Sequence, residues 1–293
     1  MNWIAYEKPN TLDECLILLE QAKGKGRIIA GGTDLILQLK RHEYFTDLLV
    51  DITGIQEMKR IQEEDGWIRI GAGVTHGEVA RNSLIQMEAR ALIQGCSRVG
   101  SPQIRNMGTL MGNVISAQPA ADGAIPLMVL EAELKVVSSA GERWMALEEA
   151  YPGVGLSAVD PTKEIATEVR FKKLGENAGT GFFRMARRKA LALPILNGAV
   201  AIVFNPAMNR IEKARIAIGP VSEKPFRPRK AEACLESREV TSEIISEAAR
   251  IASEEASPRT SLLRGSGLYR KEMVRINLMR TIEKILNEGR KRK

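Results

Sequence analysis

The stretch Arg27-Ile28-Ile29-Ala30-Gly31-Gly32-Thr33-Asp34-Leu35 decides the fold of the first part of the chain. Its beginning, residues 27–30, is a short apolar run that predicts a buried strand, and residues 35–41 have a helical pattern. A second apolar run, Leu48-Leu49-Val50-Asp51-Ile52, predicts the next strand. A strand, a helix and a further strand in this order indicate a small parallel βαβ unit.

The loop inside this unit has the composition of an anion site. Gly31 and Gly32 allow the backbone to approach a ligand with no Cβ in between. Successive N–H groups in such a turn form a concave nest, and the start of a helix adds partial positive charge. These features suit a pyrophosphate. For the hexapeptide alone, a tight turn that binds nothing is an equally good interpretation.

The segments around this unit alternate between helix and strand signals. Thr11-Leu12-Asp13-Glu14 is a capping box that starts a helix. Residues 58–61 and 67–70 predict a hairpin that turns at Asp65-Gly66. Residues 84–96 predict one helix, whereas residues 99–121 have no sustained period. Further predictions are a helix over 125–130 and strands over 134–138 and 165–171.

The small residues Gly175-Glu176-Asn177-Ala178-Gly179 predict a domain boundary. Beyond it we expect three strands, at 182–187, 198–204 and 211–219, and helices at 230–235, 242–255 and 268–288. On the last helix, Val274, Leu278, Ile282 and Ile285 share one apolar face. The fold class is therefore α+β. We predict one domain over residues 1–175, with subdomains of about 1–55 and 56–175, and a second over residues 176–293.

A second candidate loop runs from Gly108 to Asp122. It concentrates Gly, Thr, Asn, Ser and Asp, whose hydroxyl, amide and close backbone groups suit phosphates and a ribityl chain. Asp122 is placed to accept a hydrogen bond from a sugar hydroxyl. A structural Ω-loop is an equally good interpretation of this stretch in isolation.

Two other features are better explained by structural roles than by ligand binding or catalysis. Gly71-Ala72-Gly73-Val74-Thr75-His76-Gly77 resembles a dinucleotide fingerprint, but its third glycine comes one position late and the strand before it belongs to a hairpin. The only histidines are His42 and His76, and neither lies in a catalytic motif. For His76 we expect a surface or packing role. No catalytic residue is predicted, so a bound cofactor must carry any chemistry.

Composition narrows the class of protein. The chain has 293 residues and a net charge of +7, and no apolar run is long enough to span a membrane. The N-terminus lacks the features of a signal peptide, so we expect a cytoplasmic protein.

Three scattered cysteines argue against a disulfide framework or a metal site, and buried free thiols are expected. The basic clusters Arg187-Arg188-Lys189 and Arg227-Pro228-Arg229-Lys230, and the basic tail at residues 289–293, read as solvated surface. Nucleic-acid binding is not expected.

Taken together, these motifs resemble the FAD-binding medium subunit of the xanthine dehydrogenase and carbon monoxide dehydrogenase family. The resemblance rests first on Ala30-Gly31-Gly32-Thr33-Asp34-Leu35 and on Ile104-Arg105-Asn106-Met107-Gly108-Thr109-Leu110-Met111-Gly112-Asn113. It continues through Pro119-Ala120-Ala121-Asp122, Lys163-Glu164-Ile165 and residues 183–188. It therefore spans nearly the whole chain in order.

The resemblance implies a two-subdomain FAD-binding fold (PCMH/VAO-like) followed by a C-terminal three-stranded antiparallel sheet with helices. Residues 30–34 and 109–113 would cradle the pyrophosphate and ribityl region, and Arg184 would place a cation near the isoalloxazine, where it would stabilise the anionic reduced flavin. The full set of cofactor-binding residues implied is Ala30, Gly31, Gly32, Thr33, Asp34, Leu35, Val99, Gly108, Thr109, Leu110, Met111, Gly112, Asn113, Ser116, Ala121, Asp122, Ile165 and Arg184.

Three positions depart from the family pattern. Met111 replaces the first glycine of the usual G-G-N, and a positive φ there would cost roughly 1–2 kcal/mol. Arg184 stands where lysine is often found, and Leu191 where many members have an acidic residue. These departures affect the expected surroundings of the flavin and not the expectation of FAD itself.

The resemblance also implies partners. A molybdopterin-binding large subunit would oxidise the substrate, and a small subunit with [2Fe-2S] clusters would pass electrons to FAD, which would deliver them to NAD or another acceptor. One alternative is a stand-alone FAD-dependent reductase of the UDP-N-acetylenolpyruvylglucosamine reductase type. The other is a basic non-catalytic binding module. We also hypothesise that the basic clusters contribute to subunit docking.

Overall fold

The first sheet contains the predicted βαβ unit. The computed structural model describes residues 3–290, so residues 291–293 of the basic tail lie outside it. The strands of the first sheet are β1 (Ala5–Glu7), β2 (Gly26–Ile29) and β3 (Leu48–Asp51). They are all parallel, in the order β1-β3-β2. Helix α1 (Leu12–Gln21) precedes β2, and α2 (Leu35–Lys40) connects β2 to β3. The parallel βαβ prediction is confirmed.

The three-residue β1 was not predicted, because all of its side chains are exposed and it has no apolar pattern. The capping box at Thr11 takes a slightly different form from the one expected. The Thr11 hydroxyl accepts from the Glu14 amide at 3.2 Å, but the Glu14 carboxylate accepts from the Asn10 amide instead of that of Thr11.

The second sheet is antiparallel and has five strands in the order β4-β5-β8-β6-β7. They are β4 (Ile61–Glu64), β5 (Trp67–Gly71), β6 (Glu133–Ser138), β7 (Gly141–Ala146) and β8 (Glu164–Lys172). The hairpin turn is confirmed, with positive φ at Asp65 and Gly66.

Two predictions for this sheet were incomplete. Met58 lies in a 3₁₀ turn, Gln56–Lys59, and not in the first strand of the hairpin. Strand β7 was missed because it is an edge strand with mostly exposed side chains, so it shows little alternation of apolar and polar residues.

Short helices fill the connection between β5 and β6. They are α3 (His76–Val79), α4 (Ser83–Glu88), α5 (Arg90–Cys96), α6 (Pro102–Met107), α7 (Leu110–Ile115) and α8 (Ala124–Val129). The single helix predicted over 84–96 is wrong, because the backbone leaves the helical region at Ala89 (φ −144°, ψ 61°). The segment 99–121, expected to lack regular structure, contains α6 and α7, which are too short to show a period. Ser101 and Thr109 cap them.

The C-terminal part has the predicted three-stranded antiparallel sheet, in the order β11-β10-β9. Its strands are β9 (Ala178–Ala186), β10 (Pro194–Phe204) and β11 (Ile211–Gly219), followed by α9 (Arg229–Leu235), α10 (Ser242–Glu255) and α11 (Gly267–Arg290). The predicted apolar face of α11 is buried against this sheet. The boundary predicted at residues 175–176 falls between β8 and β9, and the division into domains stays a prediction.

Each sheet with its helices is called a unit below: the first contains β1–β3, the second β4–β8 with α3–α8, and the third β9–β11 with α9–α11. The sheet of the third unit packs directly against α5 of the second. The Thr180 hydroxyl accepts from the Ala91 amide at 3.0 Å, and the Gln94 side chain accepts from the Phe182 amide at 2.9 Å. Ala199, Ala201 and Ala217 of β10 and β11 belong to the same apolar core as the first two units. These contacts hold one wall of a long cleft in place.

Buried thiols and charges complete the comparison with the sequence. All three cysteines are free; Cys15 and Cys96 are buried and Cys234 is half-buried. Burial raises the pKa of Cys15 to about 12.

The interpretation of the second basic cluster as solvated surface is wrong for Arg227, which is buried and donates to Glu232 at 2.9 and 3.0 Å. No helix within residues 3–290 is long and apolar enough to cross a membrane.

Candidate functional site

A cleft of about 1630 Å³ runs along the meeting line of the three units. The loop after β2 and the segment from α6 to Asp122 contribute to its lining. Residues 191–194 and 220–223 and several of residues 257–264, all in the C-terminal part, also line it. The volume exceeds that of a typical drug-sized pocket. An extended ligand such as a dinucleotide therefore suits this cleft better than a compact one.

The first loop presents unused backbone donors. Within residues 3–290, none of the backbone N–H groups of residues 31–34 donates a hydrogen bond, although all four residues line the cleft. Gly32 has a φ of +66°, which favours glycine. Consecutive amides without partners at the start of α2 form the nest that the sequence predicted.

The two loops touch each other at Gly31. A Cβ on Gly31 would lie 2.0 Å from the carbonyl oxygen of Met107, just before the second loop. A Cβ on Gly108 would lie 3.3 Å from Thr33 Oγ1. The absence of a side chain at Gly31 is therefore what allows the loops to meet.

The second loop is shaped by side-chain caps. The Thr109 hydroxyl accepts from the Gly112 amide at 3.0 Å, and Asn113 Oδ1 accepts from the Gly123 amide at 3.0 Å. The Ser116 hydroxyl donates to the Asn113 carbonyl at 2.8 Å. Met111 lies inside α7 and is not among the residues with positive φ. The strain considered for Met111 is therefore absent.

His76 packs against the second loop, and the sequence did not reveal this contact. Its side chain is 2% exposed and lines the cleft. Its backbone amide donates to the Gly108 carbonyl at 3.0 Å, while Nδ1 is buried without a hydrogen-bond partner. Burial, and to a smaller extent the charge of Arg105, lower the pKa of His76 to about 4, so the ring is neutral at pH 7. Of the expected surface or packing role, packing fits this burial. No pattern in the residues between His76 and Gly108 indicated the hydrogen bond between them.

Asp122 and Arg184 form an ion pair inside the cleft. Arg184 Nε donates to Asp122 Oδ2 at 2.8 Å, and Asn197 Nδ2 donates to Asp122 Oδ1 at 2.7 Å. Asp122 is 6% exposed. Burial raises the pKa of Asp122, whereas the charge of Arg184 and the Asn197 amide oppose that rise. Both carboxylate oxygens are therefore engaged, and Asp122 has fewer lone pairs for a sugar hydroxyl than the sequence suggested.

Near Leu191, backbone carbonyls accept hydrogen bonds from two arginines. The Ala192 carbonyl accepts from Arg184 Nη2 at 2.5 Å, and the Leu191 carbonyl accepts from Arg188 Nη2 at 2.8 Å. Leu191 itself is exposed and has a φ of +50°, an uncommon conformation for a bulky residue. At position 191, where the sequence has no acidic side chain, main-chain oxygens of residues 191 and 192 thus accept hydrogen bonds from the two guanidinium groups.

Most of the predicted site residues line the cleft. Those that do are Ala30, Gly31, Gly32, Thr33, Asp34, Leu35, Val99, Gly108, Thr109, Met111, Gly112, Asn113, Ser116, Ala121, Asp122 and Arg184. Leu110 and Ile165 do not, because both side chains are buried in the apolar core. The neighbours of Ile165, Glu164 and Ala166, do line the cleft, so this part of β8 would meet a ligand beside Ile165.

Two family models account for nearly the whole chain. One, described as the FAD binding domain in molybdopterin dehydrogenase, matches residues 2–171. The chain belongs to this flavoprotein family. The second, described as the CO dehydrogenase flavoprotein C-terminal domain, matches residues 181–285. The predictions of the family, of FAD as cofactor and of an oxidoreductase subunit are confirmed.

Individual relatives agree. The chain is 35% identical over 202 residues to the nicotinate dehydrogenase FAD-subunit of Eubacterium barkeri, covering 68% of each chain. It is 29% identical to the 6-hydroxypseudooxynicotine dehydrogenase complex subunit alpha of Paenarthrobacter nicotinovorans, covering 97% of this chain and 95% of the other. The structure of carbon monoxide dehydrogenase from Hydrogenophaga pseudoflava superposes with a TM-score of 0.89 at 23% identity, covering 96% of both chains. That structure shows the same fold.

Family membership also decides between the alternatives. The matches favour a FAD-binding subunit of a molybdenum hydroxylase over a stand-alone reductase or a basic binding module. The glycine-rich segment 71–77 is no dinucleotide fingerprint, because β5 pairs antiparallel with both of its neighbours and Thr75 and Glu78 form a capping box. A Cβ on Gly71 would lie 2.2 Å from the Met58 carbonyl oxygen, so this glycine serves packing.

Proposed function

We propose that the flavoprotein holds FAD along the cleft through the residues predicted above and works as the electron-carrying subunit of a larger complex. The observation that carries this proposal is the row of N–H groups at residues 31–34, which have no hydrogen-bond partner within residues 3–290 and belong to a loop that lines the cleft together with the second loop. A negatively charged pyrophosphate satisfies such donors with charge-assisted hydrogen bonds.

The residues present fit FAD. Besides the four amides, a buried side-chain atom of a cleft-lining residue, His76 Nδ1, has no hydrogen-bond partner within residues 3–290. Buried polar atoms without partners are uncommon in native proteins. Together with the length of the cleft, they support an extended polar ligand.

Bound FAD would supply redox chemistry that exchanges single electrons for electron pairs. The chain's own residues bind and orient. Residues 31–34 direct backbone amides at an anion, while Val99, Glu164 and Ala166 flank the cleft. Arg184, fixed by Asp122 and by the Ala192 carbonyl, keeps a positive charge at one end of the cleft. A fixed cation stabilises negative charge that develops beside it. We assign no covalent or proton-transfer step to any side chain of this subunit.

Four residues that line the cleft, Val154, Leu156, Leu191 and Leu193, have exposed apolar side chains and are called its mouth. Exposed apolar residues of this kind are typical of interaction surfaces. The mouth therefore suits a protein partner. We propose that a [2Fe-2S] small subunit covers this mouth, and that a molybdopterin-binding large subunit completes the complex. Relatives named as medium chains or FAD subunits support this assembly. NAD or another acceptor would take the electrons.

A reducing compartment, the cytoplasm, is proposed because all three cysteines are free. The assembly can be tested by isolating the tagged chain from its native host under mild conditions and measuring metals in the eluate. Co-elution of molybdenum and iron with the chain is expected. A chain that elutes with FAD but without either metal would contradict the proposed complex.

A further inference from the structure

Three arginines of the C-terminal part line the cleft and are not among the predicted FAD residues. Arg259, Arg264 and Arg270 lie there together with the hydroxyl-bearing residues Ser222, Ser257, Thr260 and Ser261. Within residues 3–290, none of the three arginines forms an ion pair with a carboxylate. Arg170, Arg215 and Arg250 are examples of arginines that do form such pairs.

Arg270 is the unusual member, because it is a buried cation. Its side chain is 2% exposed. Nη1 donates to the Arg259 carbonyl at 3.1 Å and Nη2 donates to the Pro220 carbonyl, while Nε is buried without a partner. Carbonyls fix the guanidinium in place but do not neutralise it. A buried charge without a counterion is costly, so the structure has a place for an anion that residues 3–290 do not provide.

The surroundings add further positive potential. Arg270 lies in the first turn of α11, a helix of 24 residues, where the helix dipole is positive. Burial, and then the charge of Arg264, lower the pKa of Arg270, so these two cations lie within electrostatic reach of each other. Glu223 also lines the cleft, but it is exposed and forms no ion pair within the described residues. The cluster therefore remains uncompensated.

Contacts connect this cluster to the ion pair of the predicted flavin site. Asn197 donates to Asp122 at 2.7 Å. A Cβ on Gly219 would lie 3.0 Å from Asn197 Oδ1, and the next residue, Pro220, accepts from Arg270. On the other side, Arg187 Nη2 donates to the Leu262 carbonyl at 2.8 Å and ties the loop between α10 and α11 to the end of β9. A ligand at the arginines would thus lie along the same cleft as FAD.

We propose that Arg259, Arg264 and Arg270 form a second anion site, which binds a phosphoryl group. Arginine suits phosphate because its planar guanidinium offers several donors in one plane. Two sources share this chemistry, a pyridine dinucleotide that accepts the electrons and free inorganic phosphate or pyrophosphate. The position in the cleft favours the dinucleotide. The identity of the ligand as an acceptor rests on the proposed function, whereas the anion site itself does not.

The test is calorimetric titration of the full-length, FAD-loaded, oxidised chain with inorganic pyrophosphate and, separately, with NAD⁺ at low ionic strength. Arg264→Gln and Arg259→Gln are the test variants, because neither side chain is fully buried and Arg270 variants are at risk of misfolding. Arg275→Gln is the control, since Arg275 lies on α11, is not among the residues that line the cleft and pairs with Glu272. FAD content is measured in every sample from the flavin absorbance.

We expect the wild type and the control to bind pyrophosphate and the test variants to bind it at least about tenfold more weakly, the loss typical of one charged hydrogen bond. Binding of NAD⁺ with the same sensitivity identifies the dinucleotide as the source; pyrophosphate binding alone identifies the free anion. No binding of either probe, or equal binding by Arg264→Gln and wild type, would overturn the site. Loss of FAD from the wild type would instead count against the proposed function, so the two failures are distinguishable.

Discussion

Arg184 Nε donates to Asp122 Oδ2 at 2.8 Å, and both side chains are almost fully buried. The pair connects β9 of the C-terminal sheet with the end of the second loop, 62 residues earlier in the chain. Asn197 on β10 donates to the other carboxylate oxygen. The ion pair therefore fixes the C-terminal sheet to one end of the cleft, so the geometry of the site and the stability of the fold depend on the same contacts.

Removing the cation should be strongly destabilising. Arg184→Met leaves Asp122 as a buried, uncompensated carboxylate, and the free energy of unfolding should fall by about 3–5 kcal/mol. Arg184→Lys keeps the charge and should cost clearly less. The double variant Arg184→Met, Asp122→Asn should recover part of the loss. Urea unfolding measures all three, and unchanged stability of Arg184→Met would contradict this role of the pair.

His76 should make stability depend on pH. Its pKa is about 4 in the folded protein and about 6.5 when unfolded, so the unfolded chain binds the proton more readily. No stability is lost above pH 6.5. Between pH 6.5 and 4 the free energy of unfolding should fall by up to about 3 kcal/mol from this group. His76→Gln should flatten the profile over this window. Urea unfolding at several pH values checks this, and identical slopes for both proteins would refute it.

The contact between the loops should not tolerate a methyl group. In Gly31→Ala the Cβ would overlap the Met107 carbonyl oxygen, so the loops must separate. We expect a stability loss of about 1–3 kcal/mol and weaker FAD binding. Gly153→Ala is the control, because its Cβ would meet only the flexible Leu156 side chain at 3.3 Å. Flavin fluorescence titration measures the affinity; equal FAD affinity in both variants would argue against the assigned role of the loop.

The first basic cluster should contribute to subunit docking. Reversing the charge of Arg187 and Arg188 to Glu is expected to reduce co-purification of the iron–sulfur and molybdenum subunits, because Arg188 donates to the carbonyl of Leu191 at the mouth of the cleft and Arg187 is the residue before it. The double variant Lys213→Glu, Lys284→Glu makes the same change of charge at exposed positions elsewhere. Retention of partners by the Arg187, Arg188 variant at the level of this control would contradict the hypothesis.

Much of the fold could be predicted because its signals are local. Apolar runs such as Leu48–Asp51 form buried strands, and the capping box at Thr75 forms as its sequence indicates. The loop at residues 31–34 could be recognised from its glycines, which are needed for a positive φ and for a close approach. In these cases the chemistry lies within a few residues of sequence.

The rest depends on contacts between distant residues. The break at Ala89, the pairing of Asp122 with Arg184 and the burial of Arg227 arise where separate elements meet. Likewise, His76 looked like an ordinary residue of a capping box, and only the fold places its ring beside Gly108 and Gly123 at the second loop. Arg259, Arg264 and Arg270 are spread over a loop and a helix start, and become a cluster only through the cleft that they line.

The central claim, that this chain binds FAD in the cleft, is tested most directly by the absorbance spectrum of the purified protein, with the cofactor released by acid and identified by mass. We predict flavin bands and FAD at a ratio of about one per chain, since the cleft presents one nest of unpaired amides. A colourless protein that also fails to take up added FAD would contradict the account.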